Sequence, residues 1–395
     1  MMKLGGKLDL IPTVDVGLKS LLLQVATTTN MPDVLKRKRA YLCKDLNDRP
    51  AGFSHYLFVN QAGSHVESAG NFITLPRDYH YIGHDDIVRI AAEDSTIRVL
   101  YRANSPHNFL LMTEQCNHYC LMCSQPPKTA DDSWLLDELE QVIPMIPKNA
   151  FEIGFTGGET TQSRDRFLKI INMTKSYLPR TAVHILSNGR SFADEVFTEK
   201  YAKIGHHDAM IGIPIYSDDP TMHDYIVQAK GAFDETIQGI LNLKRYGQLV
   251  EIRIVLHKLS IQRLKELCEF ISRNLLFVDH VALMGLEMMG FTRANLDELW
   301  IDPYDYKDTL SEAVKILAAS GIRTSIYNHQ LCLVNPDVMP HYRKSISDWK
   351  NEFASECMEC ARKDECGGFF ASGIKHGYSQ KLIPFKVWNE SQLGS

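Results

Sequence analysis

No stretch of this 395-residue chain offers about eighteen consecutive apolar residues, the length a helix needs to cross a bilayer. The N-terminal Met-Met-Lys-Leu-Gly-Gly also lacks the apolar core of a secretory signal. An excess of either charge is missing too: 43 Lys and Arg stand against 48 Asp and Glu, a formal net charge of -5. That balance gives no general attraction to nucleic acid or anionic membranes, and no basic stripe marks an RNA groove. An even-numbered disulfide framework is absent as well. The nine cysteines are an odd number in clustered spacings, which fits metal ligation in a reducing compartment better than cross-linking. The expectation is a cytoplasmic protein without a membrane span. The chain is long enough for two or three domains, each with its own core.

What is there is organised around residues 113–127, which set Cys116, Cys120 and Cys123 in a C-x3-C-x2-C spacing. Three thiolates so close together want a metal, yet three is one fewer than a closed zinc site or a fully protein-ligated cluster requires. An iron-sulfur cube held by these three would keep one iron open for a small ligand. The apolar run 109–112 reads as a buried strand, so the cysteines lie on the loop leaving its C-terminal end, where barrel enzymes place their chemistry.

From residue 105 onward, strand-like runs at 109–112, 151–156, 182–186, 210–217, 250–256 and 279–284 alternate with segments of helical spacing. Ser133 stands as a candidate N-cap for the first helix, and Pro214 marks an irregular spot in the fourth strand. Six such units predict an α/β fold built on a partial (β/α)6 TIM-like barrel, open at one side, over residues 105–320. Residues 1–104 read as an N-terminal β-rich or α+β domain, with strands at 54–59, 71–75, 85–90 and 96–101. Residues 321–395 read as a C-terminal cysteine-rich domain.

That last region carries Cys357, Cys360 and Cys366 in a C-x2-C-x5-C run, and upstream Cys332 makes four candidate thiolate ligands. Sequence chemistry alone does not choose between a four-thiolate zinc site and a [4Fe-4S] cluster. Cys43 has no near cysteine and Cys268 sits in a helical apolar pattern, so both read as core residues. At the end of the second strand, Gly157 and Gly158 permit close backbone approach and Glu159 offers a carboxylate to an ammonium. Ser187, Asn188 and Ser217 follow the third and fourth strands, as polar ligands or as ordinary turn formers. Arg253 in the fifth strand is able to grip a carboxylate bidentately or to face outward. Glu287, after the sixth, faces either a substrate or solvent.

The cysteine loop resembles the signature of the radical S-adenosylmethionine (SAM) enzymes. The resemblance implies that Cys116, Cys120 and Cys123 hold a [4Fe-4S] cluster whose open iron SAM chelates, and that a 5'-deoxyadenosyl radical takes hydrogen from substrate. Met122 stands where that superfamily usually has an aromatic residue near the adenine. Gly157, Gly158 and Glu159 match the motif for SAM's amino group. Ser187, Asn188 and Ser217 would serve its ribose and carboxylate, and Arg253 the carboxylate. The C-x2-C-x5-C run resembles the auxiliary-cluster domains of radical SAM peptide maturases. Because no cysteine follows Cys366, it implies the shorter form, with one auxiliary [4Fe-4S] cluster on Cys332, Cys357, Cys360 and Cys366.

A wider pattern joins residues 101–108, the Cys-Leu-Met-Cys-Ser-Gln-Pro-Pro end of the cysteine loop, and residues 285–291, 345–350 and 366–370. Together they resemble the HxsC family of His-Xaa-Ser system radical SAM maturases. This implies post-translational modification of a ribosomally made peptide or protein with His-Xaa-Ser repeats, beside a paired radical SAM maturase and a small companion protein. A flavodoxin- or ferredoxin-like electron donor is implied too. Two rivals stand beside it: a radical SAM enzyme acting on RNA or a small molecule, and a non-enzymatic zinc-binding module.

Overall fold

The computed structural model describes residues 4–8, 20–60, 71–91, 94–344 and 352–386. The 345–350 stretch singled out above lies outside the described residues. Two seven-stranded sheets organise the rest.

The first sheet contains β1 (Gly5–Lys7), β2 (Ser20–Ala26), β3 (Arg39–Cys43), β4 (His55–Val59), β5 (Phe72–Leu75), β6 (Ile87–Ala91) and β7 (Thr96–Tyr101), in the order β1-β7-β6-β2-β3-β4-β5. Pairing is antiparallel from β1 through β7 and β6 to β2, then parallel from β2 to β5. Its core gathers Leu23, Val25, Leu57, Ile73, Leu75, Val88, Ile90 and Ile97. Four of these strands stand where the sequence predicts them. The other three were not predicted: β2 reads Ser-Leu-Leu-Leu-Gln-Val-Ala, a short apolar run that periodicity does not assign to strand or helix. Cys43 is buried beside Tyr41, Phe53 and Phe72, as a core residue should be.

The second sheet is parallel throughout and follows chain order: β8 (His107–Thr113), β9 (Glu152–Gly157), β10 (Ala182–Leu186), β11 (Ala209–Pro214), β12 (Leu249–Leu256), β13 (His280–Gly285) and β14 (Thr324–Tyr327). β8 and β14 are its two edges, so the barrel is open. It has one strand more than the six predicted. β14 pairs with β13 from Val281↔Thr324 to Met284↔Tyr327, inside the stretch 321–395 that reads as a separate cysteine-rich domain. Thr-Ser-Ile-Tyr holds too few apolar residues to announce itself.

Helices fill the crossovers: Trp134–Val142, Arg164–Tyr177, Glu195–Ile204, Ala232–Arg245, Leu264–Asn274 and Pro303–Ala319. Their apolar stripes, among them Leu139, Phe167, Ile171, Ile240, Leu267, Cys268 and Val314, pack on Ile153, Phe155, Ile185, Ile211, Ile252 and Leu283 of the strands. Each such side chain, fully buried, contributes about 1.5–3 kcal/mol, which is why the strand ends are rigid supports. Two local expectations change. Ser133 makes no side-chain cap; its own amide is instead held by Asp131 Oδ1 at 3.0 Å. Pro214 does not interrupt β11 but ends it, opposite Arg253. No helix among the described residues is long and apolar enough to cross a membrane.

Candidate active site

The loop that leaves β8 is tied down at its first residues. Thr113 Oγ1 donates to both carboxylate oxygens of Asp132 at 3.0 Å, and the Glu114 amide donates to the same carboxylate. The end of β9 lies against it, with Gly158 N donating to Thr113 O at 2.9 Å and Glu159 N to Gln115 O at 2.8 Å. A Cβ at 157, where φ is +153°, would run into the Thr113 carbonyl oxygen. One at 158 would run into that of Gln115 and stand 3.0 Å from Cys116 Cβ. Only glycine lets these two backbones meet.

Beyond this contact, Cys116, Cys120 and Cys123 are each partly exposed. Burial pushes the Cys116 thiol up to about 11, and the charges of Glu159 and Cys123 add to the rise. Burial, then the Cys123 and Cys116 sulfurs, raises Cys120 as well, and burial raises Cys123. The three thiols share one loop, but among the described residues they are not gathered so as to grip a single metal ion.

Glu159 is 1% exposed and fully engaged. Its carboxylate accepts from the Thr161 amide at 2.9 Å, the Thr161 hydroxyl, Ser187 Oγ at 2.8 Å and the Asn188 amide at 2.7 Å. Asn188 Nδ2 in turn donates to Asn117 Oδ1 at 2.6 Å, in the cysteine loop. The sequence reading gave Glu159, Ser187 and Asn188 separate parts of one ligand; here they first hold each other. Ser217 Oγ accepts from the Asp219 amide at 3.1 Å and shapes the turn into the Pro220–Val227 helix. Met122 is buried with Tyr216, Ile226, Val227 and Leu299. Glu287 is half-buried just past β13.

Arg253 is drawn into the barrel. Its Nη1 donates to Glu251 Oε1 at 2.7 Å and its Nη2 to Met284 Sδ at 3.0 Å. Glu251 also meets His280 Nδ1 at 2.7 Å and lies 3.3 Å from His184 Nε2, while His280 Nε2 meets Ser325 Oγ at 2.9 Å. Burial alone would raise the Glu251 carboxyl, but hydrogen bonds from His184 and His280 and the Arg253 charge outweigh it and hold it well below the usual carboxylate range. These groups line a cavity of about 800 Å³ with His107 and Glu152, which belong to the first positions of β8 and β9.

Cys332 follows β14 and comes close to the later cysteines. Its thiol is raised by burial and then by the Cys366 and Cys357 sulfurs. Cys366 Sγ accepts from the amides of Leu331 and Gly368, both at 3.3 Å. Burial raises Cys357, with Cys366 and Cys360 adding to the rise. Cys332 thus lies near Cys366, whose sulfur the adjacent Leu331 amide meets. Among the described residues, no three His, Cys, Asp or Glu side chains are gathered so as to grip a single metal ion.

Several residues that shape the site escaped the sequence reading. Asp132 carried a faint signal, as one of two adjacent acids ahead of a helix. Asn117, Glu251, His184 and His280 carried none, since Asn117 meets Asn188 and Glu251 meets the two histidines only across the fold.

Residues 110–271 match the model of the radical SAM superfamily. Among solved structures, the chain is similar to SuiB of Streptococcus suis, bound to S-adenosylmethionine, at 12% identity over 58% of this chain and 48% of that one, with a TM-score of 0.43. It is similar to anSMEcpe with bound AdoMet at 15% identity, over 56% of this chain and 64% of that one, with a TM-score of 0.44. A radical SAM methyltransferase from Sphaerobacter thermophilus shares 13% identity over 62% of this chain and 73% of that one, with a TM-score of 0.41. The chain spans about half the length of the first of these and less than two thirds of the second. The matched segment is similar to the radical SAM superfamily, a match that supports an enzyme and implies a [4Fe-4S] cluster and SAM. The donor chemistry fits such a group: three thiols on one loop would supply three of its four ligands and leave one iron for a ligand the protein does not provide.

Proposed function

We propose that this enzyme is a cytoplasmic radical SAM peptide maturase acting on a ribosomally made peptide or protein with His-Xaa-Ser repeats. The observation that carries the reading is the C-x3-C-x2-C spacing of Cys116, Cys120 and Cys123 on the loop leaving the first barrel strand, within the segment that matches the superfamily. The wider pattern around it supports the choice of substrate. Cys116, Cys120 and Cys123 would hold a [4Fe-4S] cluster, with SAM against Gly157, Gly158 and the turn of Ser187 and Asn188. When bound, that pair supplies reductive cleavage of SAM to a 5'-deoxyadenosyl radical that takes a hydrogen atom from the substrate.

The chain's own part is support and exclusion. Burial raises the three thiols, so each would give up a proton on loading and metal uptake would strengthen as pH rises. Glu159 spends its carboxylate on four donors, locking the ends of β9 and β10 to the loop, so the backbone around Gly157 and Gly158 is left to meet the methionine part of SAM. Met122 and Tyr216 seal the loop's inner side against water. Arg253, whose guanidinium is engaged by Glu251 and Met284 in the cavity shared with the first residues of the strands, would have to leave them to reach the SAM carboxylate. Cys332, Cys357, Cys360 and Cys366 would hold an auxiliary [4Fe-4S] cluster. A flavodoxin- or ferredoxin-like donor, a paired radical SAM maturase and a small companion protein complete the system.

The test is iron, acid-labile sulfide and zinc per chain after anaerobic purification, on wild type and a Cys116/Cys120/Cys123 triple-alanine variant. About eight irons falling to about four supports both clusters, and deoxyadenosine release with His-Xaa-Ser peptides then tests the substrate. About four irons that vanish in the variant, with zinc present, would keep the enzyme and make the C-terminal site structural. No iron after careful reconstitution would end the reading.

A further inference from the structure

The cysteine loop is gripped a second time, by a segment about 170 residues further on. Three successive carbonyls of the loop accept from three donors there: Leu121 O from Asn295 Nδ2 at 2.9 Å, Met122 O from Thr292 Oγ1 at 3.0 Å and Cys123 O from the Phe291 amide at 2.8 Å. The approach is so close that Gly290 has φ +56°, and a Cβ there would strike the Cys123 carbonyl and stand 2.7 Å from the Ser124 carbonyl group. Thr292 is fully buried. On its other side the loop is held by amides instead, with Tyr119 N and Leu121 N donating to Val227 O at 3.1 Å and Ile226 O at 2.9 Å.

In a trans peptide the N–H points opposite to the C=O. With the carbonyls of Leu121, Met122 and Cys123 turned toward residues 290–295, the amides of Met122, Cys123 and Ser124 are turned away from that segment. The Cys123 amide meets Cys120 O at 3.0 Å. No acceptor among the described residues takes those of Met122 or Ser124.

We propose that Thr292 and Asn295 are positioning residues for the third cysteine: they fix the peptide planes from 121 to 124, and so set the direction of the Cys123 thiol and leave the Met122 and Ser124 amides as donors to sulfur. The proposal rests on the metal-binding reading of the cysteine loop. Hydrogen bonds to sulfur set the potential of an iron-sulfur centre. Losing them makes it harder to reduce.

The variants are Thr292→Val, which keeps shape and removes the hydroxyl, Asn295→Ala, and Thr292→Ser as the conservative rescue. In metal-free, reduced full-length protein, iodoacetamide alkylation of each cysteine is followed by mass spectrometry. Cys123 is expected to react about fivefold faster in Thr292→Val and Asn295→Ala, the scale of one lost hydrogen bond, with Cys357 unchanged and Thr292→Ser like wild type. In reconstituted protein, the midpoint potential read by electron paramagnetic resonance is expected to move negative in the same two variants. Wild-type rates at Cys123 with an unmoved potential would overturn the proposal, as would equal acceleration at Cys357, which would mean general loosening. Absence of iron from wild type would instead overturn the metal reading, and the alkylation rates would still decide whether residues 290–295 orient Cys123.

Discussion

The two groups of cysteines present the same donor atoms on opposite kinds of support. Around Cys116, Cys120 and Cys123 the loop's backbone is bonded to the end of β9, the Pro220–Val227 helix and residues 290–295. Around Cys357, Cys360 and Cys366 the holding contacts are short-range turns, such as Cys360 N to Cys357 O at 3.2 Å and Cys366 N to Lys363 O at 3.1 Å. Bonds from further along the chain reach that region mainly at residues 366–369, with Leu331 N to Cys366 Sγ at 3.3 Å, Gly367 N to Tyr342 Oη at 2.6 Å, Gln330 Nε2 to Gly368 O at 3.0 Å and the Glu352 and Phe369 backbones exchanging two at 2.8 Å, while the Ala361 amide meets Phe385 O at 2.8 Å. A site whose geometry is built by the scaffold keeps its shape without its metal. One tied mainly by local turns draws its order from the metal, because there the binding free energy is also folding free energy.

The largest effect should come from the first group and should leave the fold alone. Cys120→Ala is expected to drop 5'-deoxyadenosine formation to background, with a melting curve like that of wild type; undiminished turnover would remove the assignment. A Cys357/Cys360 double-alanine variant should do the reverse to structure. Limited proteolysis is expected to cut within residues 352–386 while fragments containing 107–327 persist, and equal protection of both regions would erase the contrast between them.

The Glu251 centre supplies the third term, since it is a polar cluster held by side-chain charges and contains no cysteine. Glu251→Gln should cost about 3 kcal/mol, the scale for removing one partner of a buried ion pair. Because the folded Glu251 carboxyl is held below its ordinary value, its contribution is complete above that value and is lost as pH falls through the folded one. Wild type should therefore lose stability in the acid range more steeply than the variant, and parallel acid limbs in urea denaturation would count against this account. The smallest effect is expected from Gly158→Ala: about 1–3 kcal/mol of overpacking strain against Gln115 and Cys116. It should also weaken SAM binding by calorimetry, and an unchanged melting temperature would show that the loop yields easily.

Much of this was legible beforehand where the signal is local. Four strands of the first sheet and six of the second announce themselves by apolar runs of strand length, and Gly157 and Gly158 stand at the close approach that their position suggested. β14 was missed because four residues with one large aliphatic side chain give no period to read. Arg253 carries a strand's alternation, which says that it faces one side of the sheet but not that Glu251, two residues earlier, would claim its guanidinium.

By itself the sequence determined the donor chemistry of both cysteine groups, the parallel βα architecture and the glycine hinge at the end of β9, since spacing, periodicity and the lack of a Cβ are properties of neighbouring residues. Only the tertiary structure decided that Cys332 comes near Cys366, that Asn188 reaches Asn117, that Glu159 is spent on Thr161, Ser187 and Asn188, and that Thr292 and Asn295 hold the loop of Cys123. Each of those depends on which strand ends the parallel sheet brings side by side. A hydrogen bond between residues 71 or 170 positions apart leaves no periodic trace in the chain that makes it.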